Sequence, residues 1–145
     1  MVYKKIVIPT DGSNISIEAA ETAIEIAKCS GGRVYGIYVI DIVPFVGLPT
    51  EGLWESMKEI LEKEGQTALK KIADIAKEKG VDIRTEILEG TPAKEIVDYA
   101  ESKNADLISM GTTGKTGLDK LLLGSVAERV LKKTNCPVLL VKSKE

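Results

Sequence analysis

Residues 5–41 read KIVIPTDGSNISIEAAETAIEIAKCSGGRVYGIYVID, and the fold is decided in this stretch. Ile6-Val7-Ile8 is a short apolar run, and Pro9-Thr10-Asp11-Gly12-Ser13 behind it is a cluster of turn and cap residues. Ala20, Ala23, Ile24 and Ala27 then recur at the spacing of one face of an amphipathic helix. Gly31-Gly32 stops that helix. Val34 to Ile40, rich in Val, Ile and Tyr and ending at Asp41, reads as a second strand. Strand, helix and strand in so short a stretch form a crossover unit, which implies two parallel strands joined by a right-handed connection.

The same alternation continues outward. Residues 42–52 carry two Pro and two Gly and read as a loop. Leu53 to Lys79 is helical in pattern, long for a small domain, with Gly65 as the expected place for a bend. Val81, Ile83, Thr85 and Ile87 alternate with Asp82, Arg84 and Glu86, as in a half-exposed edge strand. Thr91-Pro92 places a hydroxyl at a helix N-cap and proline at the first helical position, ahead of the stripe Ala93, Ile96, Val97 and Ala100. Asp106 to Met110 is a fourth strand. Ser125 and Glu128 have the spacing of a capping box, with Val126, Ala127, Val130 and Leu131 as the apolar face behind. Pro137 breaks that helix, and Val138 to Val141 is the last strand. The short, continuously apolar strands predict burial on both sides. The chain therefore reads as one α/β domain: a doubly wound, Rossmann-like, five-stranded parallel sheet with helices on both faces.

Composition narrows the function. The chain has 145 residues, with 20 Lys and Arg against 22 Asp and Glu and a net charge of −2. A general nucleic-acid binder needs a basic surplus, so nucleic acid is not an expected partner. No apolar run approaches the roughly 20 residues of a membrane span, and the start lacks the apolar segment of a signal peptide. The expectation is a soluble, cytoplasmic protein. Histidine is absent and only Cys29 and Cys136 are cysteines, which argues against a His/Cys zinc site and against a triad with a His base. The two cysteines read as buried thiols rather than a disulfide.

In a doubly wound sheet, ligands bind beyond the carboxyl ends of the strands where strand order reverses. The loops leaving strands 1 and 4 are the unusual ones. Pro9-Thr10-Asp11 follows the first, and Gly111-Thr112-Thr113-Gly114-Lys115-Thr116-Gly117 follows the fourth, with Gly124-Ser125 opening the last helix. Clustered glycines let backbone approach a ligand and turn N–H groups toward an anion. A helix N-terminus beginning at Gly124 and Ser125 supplies a second set of donors, and one cradle forms if the chain between loops back. Ser109 to Thr116 misses the P-loop pattern at its first position, and no later strand ends in the acid such an enzyme needs for magnesium.

Gly111-x-x-Gly114, nine residues, then Gly124-Ser125 resembles the nucleotide-binding signature of the universal stress protein family. The likeness spans the chain, from Tyr3–Ser13 through Val39-Ile-Asp41 to Cys136–Val141. It implies the strand order 3-2-1-4-5, with the reversal between strands 1 and 4. It also implies ATP, with adenine near Pro9 and the backbone of Val39, and ribose near Asp11 and Gly111. The phosphates would follow Thr112, Thr113, Gly114, Lys115, Thr116 and Gly117 with Gly124, Ser125, Val126 and Ala127. A magnesium or manganese ion would bridge the phosphates, with no metal ligand assigned to a side chain. Family members often carry Ser-His or Ser-Arg where this chain has Thr112-Thr113, so a basic contact to phosphate is missing. Strand 5, apolar and at the sheet edge in that order, implies a homodimer through residues 138–141. The resulting expectation is a nucleotide-dependent switch in stress response, acting on a downstream protein. A slow ATPase or adenine-nucleotide-dependent transferase, and a nucleotide-free interaction module, are the alternatives. Asp11 is the only acid the sequence places near the site, so no general base is evident.

Overall fold

The computed structural model describes residues 2–42, 47, 51–113 and 123–142. Its elements alternate as β1 (Lys5–Pro9), α1 (Asn14–Ser30), β2 (Arg33–Asp41), α2 (Glu51–Glu78), β3 (Asp82–Gly90), α3 (Pro92–Ser102), β4 (Leu107–Gly111), α4 (Ser125–Lys133) and β5 (Val138–Val141). The strands form one sheet in the order β3-β2-β1-β4-β5, all pairs parallel, as expected. Ile6, Val7 and Ile8 are fully buried because the sheet is covered on both sides. Ile6, Ile8 and Val34 pack with Ala20, Ile24 and Ile72 of α1 and α2. Val7, Ile37 and Ile108 pack with Ile96, Val97 and Val130 of α3 and α4.

α1 starts at Ser13, whose Oγ accepts the Ser16 N–H. It ends at Gly31, held at φ 73° where a side chain would be strained. Gly32 answers a different need. A Cβ there would stand 2.5 Å from the Lys4 carbonyl oxygen, because β2 leaves the turn pressed against β1 and donates from Arg33 N–H to that same oxygen.

Several local expectations are corrected. α2 runs through Gly65 without a break. That glycine serves packing, since a Cβ would fall 2.7 Å from the Tyr38 ring. The loop at 42–52 gives way to α2 at Glu51. β3 pairs with β2 over nine residues, further than the alternating pattern at 81–87 reached, and Thr85 on that pattern is exposed. Thr91 is the N-cap of α3, but its hydroxyl makes no capping bond. α4 ends at Lys133, before Pro137, and Leu131 is 47% exposed rather than on the buried face. Cys29 is exposed, on the outer stripe of α1 that also carries Glu21 and Glu25. Cys136 is half-buried; its thiol donates to the Ala105 carbonyl at 3.4 Å, and burial, aided by Asp106, raises its pKa. The two thiols are not joined.

Candidate functional site

The site begins where β1 stops. Pro9 has no N–H to continue the ladder, and Thr10 donates its own to the Ile37 carbonyl at 2.9 Å. The Thr10 hydroxyl is buried 2.9 Å from that of Ser16. Ser16 spends its single proton on the Ser13 carbonyl, so Thr10 is the donor in this pair. Thr10 Oγ1 also accepts the Gly12 N–H, and Asp11 Oδ1 accepts the Ser13 N–H in an Asx turn. The polar network is satisfied internally, and its effect is to fix Asp11 at the mouth of the sheet.

β4 ends beside it. Ser109, fully buried, donates to the Ala19 carbonyl and ties β4 to α1. Gly111 lies so close to α1 that a Cβ would meet Ile15 at 2.9 Å. Beyond it, Thr112 donates to the Val141 carbonyl and accepts the Gly124 N–H at 2.7 Å. The chain leaving β4 and the chain opening α4 therefore meet. The N-cap of α4 is Gly124, one residue earlier than the capping-box spacing suggested. Glu128 returns its N–H to the Gly124 carbonyl, while its carboxylate turns outward to Lys132 at 2.8 Å, which lowers its pKa. Ser125, Val126 and Ala127 thus occupy the first turn, where N–H groups have no acceptor within the helix and carry part of its positive end, about half an elementary charge.

Between these elements lies a cavity of about 310 Å³, within the size range of small-molecule sites. Pro9, Thr10, Asp11, Val39, Gly111, Thr113, Gly124, Ser125, Val126 and Ala127 line it. Thr112 does not, its backbone being committed to Val141 and Gly124. Gly114, Lys115, Thr116 and Gly117 lie outside the described residues. The cavity also takes in Ser16, Ile37, Asp41, Pro92, Ile96 and Met110, which the sequence did not single out. Asp41 corrects the expectation that Asp11 is the one acid present. Its position two residues beyond Val39 on a strand was the available signal.

The lining is apolar through Ile37, Val39, Pro92, Ile96 and Met110, and polar through Thr10, Asp11, Asp41 and Ser125, with the first turn of α4 packed beside the apolar group. Backbone groups alternate in direction along a strand. The Ile37 carbonyl faces β1, so Val39, two residues on, turns its N–H and C=O the same way. β1 has ended by that height, with Pro9 paired to Ile37, and the Val39 groups face the cavity. Behind Asp11, burial first, then the Glu64 and Asp11 carboxylates, raise the pKa of Tyr38 and keep its phenol neutral.

The model of the universal stress protein family matches residues 2–142. The universal stress protein MJ0531 of Methanocaldococcus jannaschii is 65% identical over 141 residues, covering 97% of this chain and 83% of that protein. Among solved structures, that of MJ0577 from the same organism superposes with a TM-score of 0.89 at 35% identity, covering 100% of this chain and 99% of the other. A universal stress protein from Archaeoglobus fulgidus in complex with dAMP gives a TM-score of 0.72 at 26% identity, covering 98% of this chain and 100% of the other.

Proposed function

Because the chain belongs to the universal stress protein family, we propose that its residues 1–145 form one adenine-nucleotide-binding domain whose ligand is ATP. The observation that carries this reading is that one cavity is lined both by an apolar group beside Val39 and by a helix N-terminus. An apolar slot with a backbone donor and acceptor at Val39 suits a nucleobase, and the first turn of α4 suits phosphate. The bound dAMP of the Archaeoglobus relative supports it. Adenine lies by Pro9 and Val39, ribose by Asp11 and Gly111, and the phosphates run along 112–117 toward Gly124, Ser125, Val126 and Ala127. Among the described residues no three His, Cys, Asp or Glu gather into a metal site. A magnesium or manganese ion arriving with ATP would bridge the phosphates and neutralise part of their charge. Neither Thr112 nor Thr113 carries charge, so the α4 amides bear more of the phosphate recognition than in relatives with a basic residue there.

The protein acts as a homodimeric, nucleotide-dependent switch in stress response, exchanging downstream protein partners in the cytoplasm as its occupancy changes. A ligand shifts such an equilibrium only through different affinities for the two states. No helix among the described residues is long and apolar enough to cross a membrane. The dimer forms through β5, whose four residues are all only partly buried and which, among the described residues, no strand covers on its outer side. Leu140→Lys is expected to sediment as a monomer at concentrations where the parent is a dimer. A persistent dimer places the interface elsewhere.

A thermal melt tests ligand binding. ATP at about 100 times its dissociation constant stabilises by roughly 2.7 kcal/mol. For a domain of this size that raises the midpoint by about 5–10 °C. The expected result is a shift of that order with magnesium-ATP and none with GTP. No shift in protein freed of co-purified nucleotide removes the proposal.

A further inference from the structure

Resting on the nucleotide reading above, we infer that Thr10, braced by Ser16, is a positioning residue for sugar recognition. Its hydroxyl orients Asp11 toward the ribose hydroxyls rather than bonding the ligand. Thr10 and Ser16 both line the cavity and both are buried, so each hydroxyl has to be satisfied within the protein. Ser16 gives its proton to the Ser13 carbonyl at 2.8 Å and accepts that of Thr10 at 2.9 Å. Thr10 Oγ1 in turn accepts the N–H of Gly12 at 3.1 Å.

The Gly12 N–H belongs to the peptide unit that leaves Asp11. Thr10 is itself fixed to the sheet, because its own N–H goes to the Ile37 carbonyl. Asp11 therefore hangs between a residue tied to β2 and a peptide unit tied back to that residue. Its carboxylate is set by the Ser13 N–H on Oδ1 at 3.0 Å. A carboxylate accepts at about four positions, so this bond orients the group without exhausting it. Ser13 is also the N-cap of α1 and carries the carbonyl that Ser16 holds. Two turns closed by side chains, one on Thr10 and one on Asp11, thus share a single brace at Ser16. Removing the Thr10 hydroxyl takes the acceptor from the Gly12 N–H and releases the peptide unit behind Asp11. Val39 stays paired to β3 and Gly124 stays bonded to Thr112, so the supports of base and phosphate are left in place. The loss falls on the sugar.

Calorimetric titration with ATP and with 2′,3′-dideoxy-ATP, which lacks the ribose hydroxyls but keeps base and phosphates, tests the inference. The parent is expected to prefer ATP by about 30-fold, the scale of hydrogen bonds to a charged acceptor. Thr10→Val keeps the side-chain shape without the hydroxyl, and the preference should fall to about 3-fold through weaker ATP binding. Thr10→Ser restores the hydroxyl and should bring the preference back to within about 2-fold of the parent's. Ser16→Ala is the independent variant should Thr10→Val not fold; it leaves the Thr10 hydroxyl unbraced, with an expected preference of about 10-fold. In an Asp11→Ala background, Thr10→Val should cost ATP nothing further, since it acts through that carboxylate. Equal weakening of both ligands by Thr10→Val would mean a direct or general role and overturns the inference, as does an unchanged preference. A parent that binds both triphosphates equally also overturns it, while the ATP reading stands. Binding of neither by the parent overturns the nucleotide reading and this inference with it.

Discussion

Ser125→Asp is expected to raise the melting midpoint of the ligand-free protein while weakening its affinity for ATP by about 100-fold. Both effects follow from one position. Ser125 is exposed at the first residue of α4, next to N–H groups without intrahelical acceptors. A carboxylate there complements the positive end of the helix, worth about 0.3–1 kcal/mol. The same charge meets the phosphates of a bound nucleotide. At roughly 5 Å and an effective dielectric constant near 20, two like charges repel by about 3 kcal/mol, which is the 100-fold loss. Adenosine, which has no phosphate, should bind the variant as it binds the parent. Calorimetry with both ligands, beside a melt without ligand, separates the terms. ATP affinity unchanged by the aspartate would mean that the phosphates do not lie at α4.

The second large effect concerns the fold and runs against a common expectation about glycine. Gly31 has the left-handed backbone and Gly32 does not, yet Gly32→Ala should be the costlier change. At Gly31 a methyl group meets nothing within 4 Å, so the cost is conformational, about 1–2 kcal/mol. At Gly32 the methyl group would be 2.5, 2.6 and 2.8 Å from the carbonyl oxygen, Cα and carbonyl carbon of Lys4. These are backbone atoms at the first rung of the β1–β2 ladder, where Lys5 registers with Arg33. No rotamer can move them aside. Relief requires parting the two strands at their start, at a cost of about 3 kcal/mol or more, the upper end of overpacking penalties. Urea unfolding of the two variants decides the order. A smaller loss for Gly32→Ala would show that the strand ends part easily.

The parts of the fold carried by periodicity were legible in the sequence. Strands such as Ile6-Val7-Ile8 and the stripe Ala20, Ala23, Ile24, Ala27 are local patterns, and solvent exclusion makes them into a covered sheet. Strand order is a property of long-range pairing, and it came from the family resemblance rather than from any strand's own residues. The errors fall where a complete local explanation hid a tertiary one. Ser125 with Glu128 satisfied the capping rule on paper, but Thr112 takes the Gly124 N–H and moves the helix start back one residue. Gly65 looked like a hinge because glycine is costly in helices; it is there because the Tyr38 ring needs the room. Thr10 lines the cavity, and the sequence did not show that its hydroxyl is also engaged with Ser16 and Gly12. In the cavity, Ile37, Ile96 and Met110 could not be told from core, since an apolar wall and a core residue have the same sequence signature.

The two borders of the sheet differ. β3 carries Asp82, Arg84, Glu86 and Glu89 along its length, with Arg33 and Lys58 bridging to two of them, whereas β5 is Val-Leu-Leu-Val. Charge along a border strand discourages the addition of another chain. If two copies join across β5 about a two-fold axis, each uses up the one border that invites a neighbour. The composite sheet then presents β3 at both extremities. In that arrangement growth would stop at two by geometry and charge rather than continue into fibres.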